Sequence, residues 1–232
     1  MIVGRSIRTG KPTETPGEEW TAEMSRETDP VRQEYDRIAA EYDRRWRPYI
    51  DETLKIVLEA AQFDGREKIL DVPCGTGELE RRLLEKYPQL NITGADLSPG
   101  MLQQAGKKDS QQRVRWIEAD VVSLPFPDDE FDHVICANSF HYFRMPEKSL
   151  AELRRVLHPA GSFILVDWCD DYLSCKVCSL WLRWTNAAFY RTHSLRDCRS
   201  LLERQGFQIV AADRFRINWI WGLMRFVCRR GG

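Results

Sequence analysis

The chain of 232 residues has no excess of charge of either sign: 34 Lys and Arg stand against 35 Asp and Glu, for a net charge of −1. A nucleic-acid-binding surface gathers a basic excess on one face. Here the charges are mixed, and only Arg229-Arg230 and the Arg44-Arg45-x-Arg47 cluster stand out. Both read as solvated surface, so no nucleic-acid partner is expected. No apolar run is long enough for a bilayer: the longest, Ile217 to Cys228, is broken by Asn218 and Arg225. Arg5, Arg8 and Lys11 are followed by no apolar segment, so no signal peptide is visible. Seven cysteines, an odd number in a chain this long, fit reduced thiols rather than a disulfide framework. Cys175-x-x-Cys178, with Cys169 nearby, lacks both a second pair and a neighbouring histidine. Its spacing on a helix simply puts two thiols on one face, so no metal is expected. These absences point to a cytoplasmic protein without stable membrane insertion, as a monomer or homodimer.

What is present is 43% hydrophobic and 30% charged residues, an ordinary globular balance with material for one sizeable core. Residues 1–28, rich in Thr, Glu, Arg, Gly and Pro, read as a disordered or loosely attached tail. The domain then runs over 29–232. Asp29-Pro30 is a helix start, and Val31, Tyr35, Ile38 and Tyr42 give that helix an apolar face. A second helix is expected from Asp51 to Ala61, completing an N-terminal helical cap over 29–62. From Lys68, short apolar runs (69–72, 92–95, 114–117, 134–137, 163–166) alternate with helical stretches at 78–87, 100–107 and 147–157. Such alternation implies an α/β fold with a parallel sheet and helices on both faces. After Val166 the rhythm breaks into an aromatic connection, a helix from Ser194 to Gln205, and strand material at 207–211 and 217–228.

Asp71-Val72-Pro73-Cys74-Gly75-Thr76-Gly77 ends the first strand and opens a helix. Glycines at such a turn let a ligand approach the backbone, which also suits a dinucleotide site. The third glycine of the dinucleotide fingerprint would fall at residue 80, which is Glu80. Glu78, Glu80 and Asp71 would repel a pyrophosphate and suit ammonium and sulfonium groups. A nicotinamide-dependent oxidoreductase is therefore the weaker reading. Asp96 closes the second strand, where a carboxylate accepts hydrogen bonds from ribose hydroxyls, and Asp120 ends the third, where it suits an adenine amino group.

With these residues in place, the chain resembles the class I S-adenosylmethionine-dependent methyltransferases, especially the small-molecule branch with the ubiquinone and menaquinone biosynthesis enzymes. The matching stretches are ILDVPCGTG at 69–77, GADLSPGML at 94–102, EADVVSLPFPDDEFDHVICANSFHYF at 118–143 and ELRRVLHPAGSFILVD at 152–167. The resemblance implies a Rossmann-like, doubly wound seven-stranded sheet in the order 3-2-1-4-5-7-6 with strand 7 antiparallel. It implies S-adenosylmethionine as cofactor, with Asp71, Gly75 and Gly77 at the methionine end. Asp96 and Leu97 would frame the ribose, Asp120 and Val121 the adenine, and Asn138 would sit near the donor methyl. An N-terminal helix serves the family as a lid, which makes Tyr35 a cofactor contact or else a core anchor, with Tyr42 in the same position. Pro73 departs from the usual glycine and removes one N–H from the loop.

The activity implied is methyl transfer to a small, apolar or aromatic molecule. A scaffold that keeps the fold and binds S-adenosylmethionine without catalysis is the alternative. Methyl transfer from a sulfonium is an in-line displacement, in which alignment supplies roughly 7–11 kcal/mol. A base is needed only where the acceptor loses a proton. His141, after the fourth strand, is the first candidate, since imidazole titrates near neutrality; otherwise it is a surface or helix-capping residue. Asp167 and His193 rank behind it. The segment 168–193 is where an acceptor-pocket insertion is expected, with Trp181, Trp184 and Phe189 lining the pocket or merely roofing the sheet. The Trp-rich stretch at 219–221 reads as a buried strand, or as a contact with a membrane or second subunit. Asn138-Ser139-Phe140-His141 is not the Asn/Asp-Pro-Pro-aromatic motif of enzymes that methylate exocyclic base amines.

Overall fold

Asp29 caps helix α1 (Pro30–Ile38): its Oδ1 accepts from the amides of Val31 at 2.7 Å and Arg32 at 3.3 Å. The structure, a computed structural model, describes residues 29–217 and 221–231. The expected tail 1–28 and Trp219 lie outside the described residues. After a 3-10 turn at Ala39–Glu41, helix α2 runs over Tyr42–Ala60 and crosses Pro48. The second helix thus starts nine residues before the expected Asp51. Pro48 withholds an N–H from one helical carbonyl, but Ile50, Leu54 and Val57 bury the same face on both sides of the next turn and hold the helix together.

The rest alternates as the periodicity implies. β1 (Lys68–Asp71), α3 (Glu78–Lys86), β2 (Asn91–Asp96), α4 (Pro99–Lys108), β3 (Val114–Glu118) and β4 (Phe131–Ala137) come first. α5 (Pro146–Val156), β5 (Leu157–Trp168), α6 (Leu173–Thr185), α7 (Leu195–Arg204), β6 (Phe207–Arg216) and β7 (Gly222–Arg230) follow. The strands form one sheet in the order β3-β2-β1-β4-β5-β7-β6. β1 to β5 are parallel, and β7 runs antiparallel to both β5 and β6.

Successive strand residues face opposite sides of the sheet, and both sides are apolar. Leu70, Val134 and Phe163 enter one core with Leu150 and Leu153 of α5 and Leu201 of α7. Ile69, Ile135 and Ile164 enter the other with Leu54 and Val57 of α2 and Leu83 of α3. Covering both faces is what a parallel sheet requires, and each fully buried Leu or Ile contributes about 1.5–3 kcal/mol. The parallel run also sets Asp71, Asp96, Ala137 and Trp168, the last residues of β1, β2, β4 and β5, along one edge. The site is built there.

Candidate active site

The loop after β1 turns twice through left-handed backbone, at Gly75 (φ 55°) and Gly77 (φ 73°), before α3 begins. The two glycines serve different ends. A Cβ on Gly75 would meet nothing within 4 Å, because its open side is a cavity. A Cβ on Gly77 would lie 2.7 Å from the Trp116 ring and 2.9 Å from the Ala105 Cβ. Gly77 therefore lets the loop pack on the sheet behind it and does not line the cavity. Pro73 follows a cis peptide bond.

The cavity, about 210 Å³, lies over the carboxyl ends of the strands. Asp71, Gly75, Asp96, Leu97, Asp120, Val121, Asn138, Tyr35 and Tyr42 all line it, so of the expected cofactor residues only Gly77 stands off it. Asp96 ties two loops together: one carboxylate oxygen accepts from the Gly75 amide at 2.8 Å and the other from the Ser98 amide at 2.9 Å. Each oxygen keeps a second lone pair. Burial pushes this carboxyl up to about 6, against the pull of those amide bonds. Asp71 is buried with an oxygen that has no partner.

Glu80 is placed differently from the expectation. It is fully buried behind the loop, away from the cavity, against Asp71. Burial, with Glu80 beside it, drives the Asp71 carboxyl up; burial also drives Glu80 up. Glu78 does line the cavity, but Arg81, Arg82 and Lys108 surround it. Although partial burial opposes its ionisation, the Arg81 guanidinium holds it down to about 2. Among the described lining residues, five are carboxylates (Asp29, Asp71, Glu78, Asp96, Asp120) and the one guanidinium is Arg144. That balance suits a cationic ligand and opposes a pyrophosphate.

The N-terminal helices are strapped to these loops by contacts that the sequence did not single out. Asp36 accepts from the Ser98 hydroxyl at 2.5 Å and the Gly100 amide at 2.8 Å. Asp43 accepts from the Thr76 hydroxyl at 2.5 Å and pairs with Lys108. Arg32 reaches Glu118 at 2.9 Å. Tyr35 meets Tyr42 (ring centroids 5.8 Å apart) and Tyr142 edge-on (5.4 Å), closing the cavity from that side. Asn138 holds a left-handed conformation (φ 59°), which Asn tolerates better than most residues. Its side-chain oxygen accepts from the Tyr49 hydroxyl at 2.6 Å, and that hydroxyl in turn accepts from the Trp168 indole. Asp36 and Asp43 lie in the Tyr35–Asp43 stretch that resembles the family's lid helix, though neither carboxylate is marked there; Tyr49 has no motif around it, and only the fold brings it here.

His141 is neither a surface nor a capping residue. It is buried, and it forms a pair with Asp167: one Asp167 oxygen meets Nδ1 at 2.6 Å, the other accepts from the His141 amide at 2.7 Å. Two residues weighed as separate bases are thus one unit. With Nδ1 donating to the carboxylate, the lone pair sits on Nε2, which is buried and has no partner. The ring stacks on Trp168 (4.3 Å, 6°) and lies 5.9 Å from Phe189. His193 packs on Phe140 at 5.2 Å, and burial, with Arg191, holds it below the ordinary histidine range. Phe189 is buried in this cluster, but Trp181 and Trp184 stand 64% and 85% exposed and are not among the residues that line the site cavity. The Cys175 thiol accepts from the Gly222 amide at 3.1 Å. Among the described residues no cluster of three or more His, Cys, Asp or Glu could hold a metal.

Residues 70–165, which hold β1 to most of β5, match the methyltransferase domain family. A demethylmenaquinone methyltransferase of Thermus thermophilus is 40% identical over 128 residues, 54% of this chain and 55% of its own length. A ubiquinone/menaquinone biosynthesis C-methyltransferase of Desulfotalea psychrophila is 30% identical over 148 residues, covering 59% and 57%. The chain thus spans little more than half the length of the curated relatives it matches. In fold it is similar to a chain of the complex between the Haloferax volcanii Trm112 methyltransferase activator and a methyltransferase. The TM-score is 0.77 at 21% identity, covering 86% of this chain and 98% of that one. The chain is thus similar over residues 70–165 to methyltransferase domains, and the curated relatives it resembles are ubiquinone and menaquinone methyltransferases.

Proposed function

We propose that this chain binds S-adenosylmethionine in the crevice over β1, β2 and β4 and transfers its methyl group to a small molecule with an apolar or aromatic body. The observation that carries the reading is the acidic lining, five carboxylates to one guanidinium, around a loop whose Gly75 opens to the cavity. When bound, the cofactor supplies an electrophilic methyl group on a sulfonium. Asp71, with its unpartnered oxygen, and the Gly75 turn would hold the methionine end. Asp96 has a free lone pair on each oxygen for the ribose hydroxyls, beside Leu97; Asp120 and Val121 would take the adenine. Asn138, fixed by Tyr49, borders the place where the acceptor arrives, and Tyr35 and Tyr42 cover it. The cap over 29–62 is then a strap, and 168–193 lends Phe189 and Trp168 to the acceptor side.

His141 is assigned as the base for an acceptor that must lose a proton, with Asp167 as its positioning residue. Asp167 fixes the tautomer and leaves Nε2 as the acceptor of that proton. The amides of Tyr190 and Arg191 donate to the His141 carbonyl at 3.3 and 2.9 Å, so the loop after α6 must yield for the acceptor to reach Nε2. The names of the curated relatives support a quinone-like acceptor.

Thermal unfolding with S-adenosylmethionine, S-adenosylhomocysteine and NAD tests the cofactor. A ligand at a hundred times its Kd stabilises by about 2.7 kcal/mol, roughly 5–10 °C for a domain this size. Both adenosyl ligands should raise the midpoint, NAD should not, and Asp96→Ala should abolish the rise. No rise with either adenosyl ligand at millimolar concentration would refute the proposal.

A further inference from the structure

Helix α6 is amphipathic with its faces reversed. Leu173, Val177, Leu180, Trp181 and Trp184 follow at helical spacing on one face, and they are 79%, 63%, 61%, 64% and 85% exposed. The face turned to the protein is mostly small residues, with Leu182 half-buried among them: Cys175 is buried against the Gly222 amide, and Ser179 bonds Thr192. A surface helix ordinarily buries its apolar stripe, and an exposed stripe of this size marks an interaction surface. Its charge is one-sided as well. α6 contains Lys176 and Arg183, both exposed, and no acidic residue. Arg191 follows on the exposed loop, and Arg144 reaches the Ala187 carbonyl just past the helix. Asp170 and Asp171 precede the helix: Asp170 lies within reach of the Lys176 and Arg191 charges and offsets part of them, and Asp171 is engaged by the Leu195 amide and Arg214.

We propose that α6 is an interfacial helix that lays its Leu/Val/Trp face into the headgroup region of an anionic membrane. Tryptophan favours that depth, where its ring is buried and its N–H stays wet. Lys176, Arg183 and Arg191 at the rim meet anionic headgroups, each worth attraction near such a surface. Both signals are needed, because five apolar side chains on a helix of 13 residues bind weakly by themselves. Docking in this pose sets the lipid beside the loop that leaves α6, whose Tyr190 and Arg191 amides bond to the His141 carbonyl. The docking does not rest on the methyl-transfer reading.

Flotation of the full chain, without cofactor, tests it against vesicles of phosphatidylcholine alone and of phosphatidylcholine mixed with phosphatidylglycerol. The wild type should float with the mixed vesicles and lose binding as salt rises. Trp181→Ala/Trp184→Ala and Lys176→Glu/Arg183→Glu should each lower the bound fraction about tenfold or more. Because these side chains are exposed, both variants should unfold within about 2 °C of the wild type. A wild type that stays at the bottom of the gradient with the mixed vesicles overturns the proposal. So does a tryptophan variant that floats like the wild type, or equal binding to neutral and anionic vesicles. A wild-type dimer in sedimentation that becomes a monomer in the tryptophan variant, with no flotation, would assign the face to a second copy and also overturn it. Since cofactor-induced stabilisation is measured separately, failure here and failure of the methyl-transfer reading are distinguishable.

Discussion

Gly75 and Gly77 lie two residues apart in one loop with similar dihedrals, yet the structure gives them different sensitivities. Gly77→Ala would force a non-glycine residue to φ 73° and place a Cβ 2.7 Å from the Trp116 ring, 2.9 Å from the Ala105 Cβ and 3.2 Å from the Ala105 Cα. The left-handed conformation costs about 1–2 kcal/mol, and overpacking adds about 1–3 kcal/mol because Ala105 backbone cannot swing aside. A loss of about 2–5 kcal/mol is expected, roughly 4–20 °C in the unfolding midpoint. Gly75→Ala bears only the backbone cost, about 1–2 kcal/mol, since its Cβ would point into open space. That space is the cavity, so Gly75→Ala should keep most of its stability and lose most of the midpoint rise caused by S-adenosylhomocysteine. Thermal unfolding of both variants, with and without the ligand, reads all four numbers. Equal losses of stability would refute the packing argument, and a full ligand shift in Gly75→Ala would refute the placement of the ligand.

Burial keeps a proton on the Asp71–Glu80 pair that the unfolded chain releases, so wild-type stability should fall as pH rises from the ordinary carboxylate range towards about 8. In Glu80→Gln that slope should be flatter over pH 5–9, and parallel melting curves would count against the shared proton. Tyr49→Phe removes the hydroxyl between Asn138 and Trp168 and should cost about 1–3 kcal/mol, read by urea unfolding, because both partners are left unsatisfied. Asp36→Ala frees Ser98 and Gly100 from α1, and hydrogen exchange across 30–47 should speed up while the sheet stays protected. His141→Gln should lower kcat about 100-fold or more for an acceptor that loses a proton, with the cofactor-induced midpoint rise unchanged; Asp167→Asn should shift the pH–rate profile with little change in KM.

The sheet and the cofactor edge were legible because they are written in short-range pattern. Period-two apolar runs bounded by turn residues specify strands, and their parallel order puts Asp71, Asp96 and Asp120 on one edge whatever else the chain does. Asp29-Pro30 predicted a helix start for the same reason, since a cap is a local hydrogen bond. Glu80 was misjudged on side: its neighbour Glu78 does face the cavity, but a helix turns by about 100° per residue, and two residues on, Glu80 points into the protein. Pro73, suspected for its missing N–H, left the turn intact, with Gly75 still bound to Asp96. Asp36, Asp43 and Tyr49 escaped because their partners lie 62, 33 and 89 residues away. A lone carboxylate or phenol on an amphipathic helix carries no sign of so distant a partner.

The aromatic connection shows a subtler limit. Hydrophobic periodicity in 173–184 establishes a helix with one apolar face, and from that alone the expectation was that Trp181 and Trp184 turn inward. The direction of the face is decided by what the other side fits. In α6 that other side is Cys175, Cys178, Ser179 and the half-buried Leu182, and its small residues lie close over Gly222 and Thr192, with Cys175 and Ser179 hydrogen-bonded there. Burying the tryptophans instead would need a concavity beside β7, but that ground is already filled by Trp168 and Trp221, their rings tilted and 4.6 Å apart beside Tyr49. Phe189, beyond the helix, is buried beside His141. The same competition for space that excludes the α6 face from the core holds His141, Trp168 and Phe189 together, and it leaves that face to whatever meets the molecule from outside.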